Sequence, residues 1–74
     1  MKVLTIVKSL DSDGAEAIIY FRRDGGISSK RIFVPYSTPP DKVPISKIAE
    51  IHEEAMRKLD KMIAEELSKS QGSE

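Results

Sequence analysis

The sequence predicts an α+β fold: a three-stranded antiparallel β-meander in order 1-2-3, followed by one long C-terminal amphipathic helix packed on one sheet face. Three observations predict it. Two turn clusters, "DSDG" and "DGG", divide a first half rich in β-branched and aromatic residues into three short runs. Three prolines within "YSTPPDKVP" then close that half. Beyond them the apolar period changes from two to between three and four.

"KVLTIVKSL" is the first strand, residues 2–10, and ends at "DSDG". "AEAIIYFRR", residues 15–23, is the second, closed by "DGG". "ISSKRIFVP", residues 27–35, is the third, ended by Pro35 because proline cannot donate to a ladder. Residues 36–43 are an extended linker. From Pro44 to about Lys69, Ile45, Ile48, His52, Ala55, Met56, Leu59, Ile63 and Leu67 recur on one helical face, with Pro44 accommodated in the first turn. Residues 1–69 form a single small domain, and residues 70–74, "SQGSE", are expected to be a disordered tail.

Register assigns the side chains to faces. With "DSDG" as a four-residue loop, Leu10 faces Ala15, Val7 faces Ile18, Ile6 faces Ile19, Thr5 faces Tyr20 and Leu4 faces Phe21. With Gly25-Gly26 as the second turn, Asp24 faces Ile27, Phe21 faces Lys30, Tyr20 faces Arg31, Ile19 faces Ile32, Ile18 faces Phe33 and Ala17 faces Val34. A one-residue slip would place Arg31 opposite Ile19 and mix apolar with charged faces.

One face is then Leu4, Ile6, Ala17, Ile19, Phe21, Ile32 and Val34, the natural seat of the helix. The other carries Val3, Thr5, Val7, Ile18, Tyr20, Arg22, Arg31 and Phe33, and the chain has no further element to cover it. Tyr, Phe and Arg are the types enriched where partners bind. The candidate partner-binding residues are therefore Tyr20, Arg22, Arg31, Phe33, Ile18 and Val3.

Arg23 and Lys30 fall on the helix side of the rim, as candidate contacts for phosphate or an acidic patch. The four cations around the turn allow three readings: a solvated hairpin whose charges discourage edge aggregation, a protein contact, or a nucleic-acid contact. The chain has 12 Lys and Arg against 12 Asp and Glu, a formal net charge of zero, which gives the nucleic-acid reading no broad positive field. Charge is uneven, however: six cations against four anions up to Pro40, a net +2, and six against eight from Asp41 onward, a net −2.

A helix of about 25 residues spans ~37 Å and an eight-residue strand ~26 Å, so the last helical turns are expected to overhang the sheet. Leu59, Met62, Ile63 and Leu67 there either pair with another helix, as in a homodimer, or fray; fraying is the expectation for the free protein.

Catalytic and metal chemistry find no foothold. The chain has no cysteine and one histidine, His52, on the apolar helix face, so an imidazole hydrogen-bonded to a neighbour is expected rather than a ligand. Buried neutral, it would weaken stability as pH falls. Three of the helix glutamates have a cation four residues away, Glu53 with Arg57, Glu54 with Lys58 and Glu65 with Lys61, as on a solvated face. No nucleophile has a base at readable spacing. The expectation is a protein that is not an enzyme and has no cofactor. Lys8 interrupts the N-terminal apolar run too soon for a signal or membrane segment, and the absence of cysteine suits a reducing cytoplasm.

Two resemblances follow from this layout. "YFRRDGG" running into "KRIF", within three strands and a helix over Ile18 to about Ala64, resembles the arm-type DNA-binding domain of phage integrases, which implies a sheet face entering the major groove. The size and layout also resemble small phage-encoded early regulators that bind host RNA polymerase, which implies an inhibitor of transcription; no motif carries this second likeness. The functional expectation is a regulatory protein that docks on a larger protein, with host transcription machinery as the implied target. The alternatives are a DNA-binding module using the same sheet face and a homodimer joined through open faces or helix ends.

Overall fold

A computed structural model describes residues 2–72. The chain forms β1 (Lys2–Leu10), β2 (Gly14–Arg23) and β3 (Gly26–Pro35), a 3₁₀ turn at Pro40–Lys42, and α1 (Ile45–Gly72). The three strands make one antiparallel sheet in the order β1-β2-β3, and α1 packs on β2 and β3. The α+β meander-and-helix architecture is thus as the sequence predicts. No helix among the described residues is long and apolar enough to cross a membrane.

The core lies between one sheet face and α1. Ala15, Ala17 and Ile19 of β2 and Ile32 and Val34 of β3 are buried against Ala55, Leu59 and Ile63 of α1. Alternation along each strand sends these five residues to the same side. The small side chains of Ala15 and Ala17, fully buried, let the helix approach the sheet closely, and Leu59 fills the centre. Lys8 and Lys30 border this packed face and reach the helix: Lys8 Nζ lies 3.0 Å from Asp60 Oδ1, and Lys30 Nζ 2.7 Å from Glu66 Oε2.

The first hairpin keeps its predicted register from Thr5 to Leu10, but a bulge between Val3 and Thr5 sets Val3 rather than Leu4 opposite Phe21. An extra residue in one strand exchanges the sides of everything beyond it. Val3 therefore joins the helix-side face and leaves the open one.

The second hairpin is displaced by two residues from the expected register. Ile19 faces Lys30 rather than Ile32, Ala17 faces Ile32 rather than Val34, Ile18 faces Arg31, Tyr20 faces Ser29 and Phe21 faces Ser28. The cause is the turn. Asp24 and Gly25, with φ of 25° and 83°, are the two central residues, and Arg23 pairs with Gly26. Asp-Gly is a favoured pair for a two-residue hairpin in which both central residues take positive φ, and it prevails over Gly25-Gly26. An even displacement preserves the faces, so the apolar pattern alone does not distinguish the two registers.

The linker also departs from expectation. Pro40 opens a single 3₁₀ turn, closed by Lys42 N–H donating to the Pro39 carbonyl at 3.0 Å, so it is not extended throughout. The helix begins at Ile45, one residue past Pro44, and runs to Gly72 instead of ending near Lys69. Residues 73–74 of the expected disordered tail lie outside the described residues.

Candidate interaction surface

The face of the sheet turned away from α1 carries Thr5, Val7 and Ser9 from β1, Glu16, Ile18, Tyr20 and Arg22 from β2, and Ile27, Ser29, Arg31 and Phe33 from β3. Among the described residues no second layer covers it. Ile18, Tyr20 and Phe33 are half-buried by their strand neighbours alone, while Val7 and Ile27 are 50% and 65% exposed. Five of the six predicted partner-binding residues, Ile18, Tyr20, Arg22, Arg31 and Phe33, stand on this face. The sixth, Val3, is displaced by the bulge.

The two arginines differ in their freedom. Arg31 Nη2 lies 2.7 Å from Glu16 Oε2, and its guanidinium stands 5.3 Å over the Phe33 ring. The hydrogen bond to Glu16, reinforced by its charge, raises the Arg31 pKa further, and Glu16 balances this cation locally. Phe33 is itself seated on backbone. A Cβ placed on Gly14 would lie 2.7 Å from Phe33 Cζ and 2.8 Å from Pro35 Cα, and nearer still to the Val34 carbonyl oxygen. Only glycine admits that close approach. Glu16, Arg31, Phe33 and Gly14 thus form one preset cluster. Arg22 stands opposite Lys2 on β1 and Ile27 on β3, at the hairpin-tip end of the face.

Lys30 and Arg23, the candidate phosphate or acidic-patch contacts, lie on the helix side as predicted. Lys30, however, is engaged by Glu66, and Arg23 sits 5.9 Å over the Phe21 ring. Hydrogen bonding to Lys30 is the main reason the Glu66 carboxyl titrates below its ordinary range; partial burial opposes the shift, and the charges of Lys30 and Lys69 add to it. The sequence reading missed this partner because it set Lys30 opposite Phe21, about two residues too near the hairpin tip.

The expected helix-end interface is corrected more sharply. Leu59 and Ile63 are core residues and Leu67 packs against the core; of the four, Met62 alone is substantially exposed, at 40%. The overhang is at the opposite end of α1, where Ile45 is 87% exposed. The linker carries the chain past the ends of the strands before the helix starts. Tyr36 secures that passage: its N–H donates to the Asp13 carbonyl at 3.1 Å, its hydroxyl donates to the Asp11 carbonyl, and its ring lies 5.4 Å from that of His52. The neighbour that His52 meets is therefore an aromatic ring. Burial, then the charges of Asp11 and Asp13, raise the Tyr36 pKa. A hydrogen bond with Ser37, followed by the charge of Lys58, lowers that of Glu54.

An open cleft of about 500 Å³, not anticipated from the sequence, lies beside this anchor, between the Asp11–Asp13 turn, Pro39–Asp41, and Ile48 and His52 of α1. Its acids come from two turns far apart in sequence, so only the acidic composition of "DSDG" and "PPD" hinted at it. Among the described residues, no group of three His, Cys, Asp or Glu is placed to hold a metal.

Comparison with known proteins finds no family model, no curated protein and no solved structure that matches this chain.

Proposed function

We propose that this chain is a non-enzymatic regulatory binding module that docks on a larger protein through the open face of its sheet. The observation that carries the reading is the division of the sheet: one face is closed by α1, while the other leaves Val7 and Ile27 at least half exposed beside Tyr20, Ile18 and Phe33. Isolated apolar residues on a surface are ordinary, but a group of them beside aromatic side chains on a hydrogen-bonded sheet is the composition of an interface centre.

Tyr20 and Phe33 supply buried area, and Phe33 is already fixed by Gly14 and Arg31, so docking orders few side chains. Arg22 and Lys2, paired across β1 and β2, supply a positive rim that favours an acidic margin on the partner. Engagement of Lys30 by Glu66 removes one cation that a phosphate-binding reading would use, and the chain has no net charge to support it. Transcription components are the class of target suggested by the resemblance to phage early regulators.

Affinity capture from nuclease-treated host lysate tests the reading, with a Tyr20→Ala/Arg22→Glu variant as the control. The wild type should retain a protein that the folded variant does not. Retention of nucleic acid alone in untreated lysate, lost steeply with added salt, would instead support the DNA-binding alternative.

A further inference from the structure

The first strand is the least covered part of the fold. Eight of its nine residues are exposed, although it contains Val3, Leu4, Ile6, Val7 and Leu10. The helix is set over β2 and β3, so β1 lies largely bare on the helix side, with Leu10 45% exposed, as well as on the open side. It is also an outer strand, and its outward backbone N–H and C=O groups meet no strand among the described residues.

We propose that this edge is the seat of a second copy of the same chain, paired with β1 antiparallel across a two-fold axis at Val7. Register and charge select this arrangement. An even register is required for helix-side residues to meet helix-side residues. Centring on Lys8 would set that lysine against itself, and centring on Ile6 would draw the pairing into the bulge between Val3 and Thr5. Centring on Val7 leaves Thr5–Ser9 regular: Val7 faces Val7 of the second copy, Thr5 faces its Ser9, and Ile6 faces its Lys8, already neutralised by Asp60 of its own helix.

The two ends of β1 carry opposite charge. Lys2 stands opposite Arg22 at one end, and Asp11 and Asp13 occupy the turn at the other. Antiparallel pairing brings Lys2 of each copy alongside the Asp11–Asp13 turn of the other, twice over by symmetry, whereas parallel pairing would set like charges together. The product is a six-stranded sheet with both helices on one side and the two open faces continuous on the other. The inference concerns the strand edge and does not depend on whether the open face binds anything.

The test uses the full chain alone. Sedimentation equilibrium from roughly 10 μM to 1 mM should show a monomer–dimer equilibrium, with the outward-pointing amides of Ile6 and Lys8 gaining hydrogen-exchange protection as concentration rises. Lys2→Glu should weaken the dimer roughly tenfold, because two symmetry-related attractions become repulsions, and Lys2→Glu/Asp11→Lys should restore it. The proposal is overturned by a monomer throughout that range or by a dimer in which β1 amides exchange at the monomer rate. A Lys2→Glu variant that associates like the wild type, or a charge swap that restores nothing, overturns it equally.

Discussion

Lys30 of β3 and Glu66 of α1 are joined at 2.7 Å across the border of the core, 36 residues apart in sequence. The pair ties the end of α1 to β3 beside the core that seats the helix, and it engages Lys30. Because its partners are solvated, its effect is best read in titration rather than as a stability increment. The Glu66 carboxyl is lowered in the folded chain. Its stabilising contribution is therefore fully present above the unfolded value, about 4.3, and is lost as pH falls through the lower folded value. Lys30→Met should move the Glu66 titration seen by NMR back toward the ordinary carboxylate range. An unchanged titration would show that the two side chains do not meet in solution.

The placement of α1 makes its two ends unequal. Leu59 is wholly buried and Ile45 nearly wholly exposed. Leu59→Ala should cost about 2–5 kcal/mol in urea unfolding, and Ile45→Ala no more than about 0.5 kcal/mol. Comparable losses at the two sites would mean that the helix sits on the sheet through its first turns instead.

Sequence and structure agree most closely where side-chain pattern decides the outcome. Alternation in β2 and β3 and the three-to-four spacing in α1 sort core from surface, and they place Ile18, Tyr20, Arg22, Arg31 and Phe33 together on one face. The errors arise where pattern is degenerate. A two-residue displacement of β3 leaves every side chain on its face, so only the choice of Asp24-Gly25 over Gly25-Gly26 for the turn decides it. The Val3–Thr5 bulge has no glycine or proline to announce it, and it moves Val3 to the other side. The overhang is at Ile45 because of the path of residues 36–44, which Tyr36 fixes by contacts distant in sequence.

Gly14 and Phe33 offer a test of the preset cluster on the open face. Gly14→Ala should destabilise the fold by about 1–3 kcal/mol, because the added methyl meets the Phe33 ring and the Val34–Pro35 backbone. In a double-mutant cycle the same substitution should cost less in a Phe33→Ala background, with a coupling of about 0.5 kcal/mol or more. Strict additivity, measured by thermal or urea unfolding, would show that the ring does not rest on Gly14.

The proposed docking face is distinguished from the helix side by where a partner is crosslinked. A photo-crosslinking side chain at Ile27, 65% exposed on the open face, should form an adduct with a larger protein in nuclease-treated cell lysate, whereas the same group at Met62, exposed on α1, should not. Mass spectrometry of the adducts makes the comparison direct. A discrete heterologous adduct is expected from position 27, and Tyr20→Ala/Arg22→Glu should abolish it. Equal adducts from positions 27 and 62, or none from position 27 while the wild type still captures its partner, would contradict this expectation.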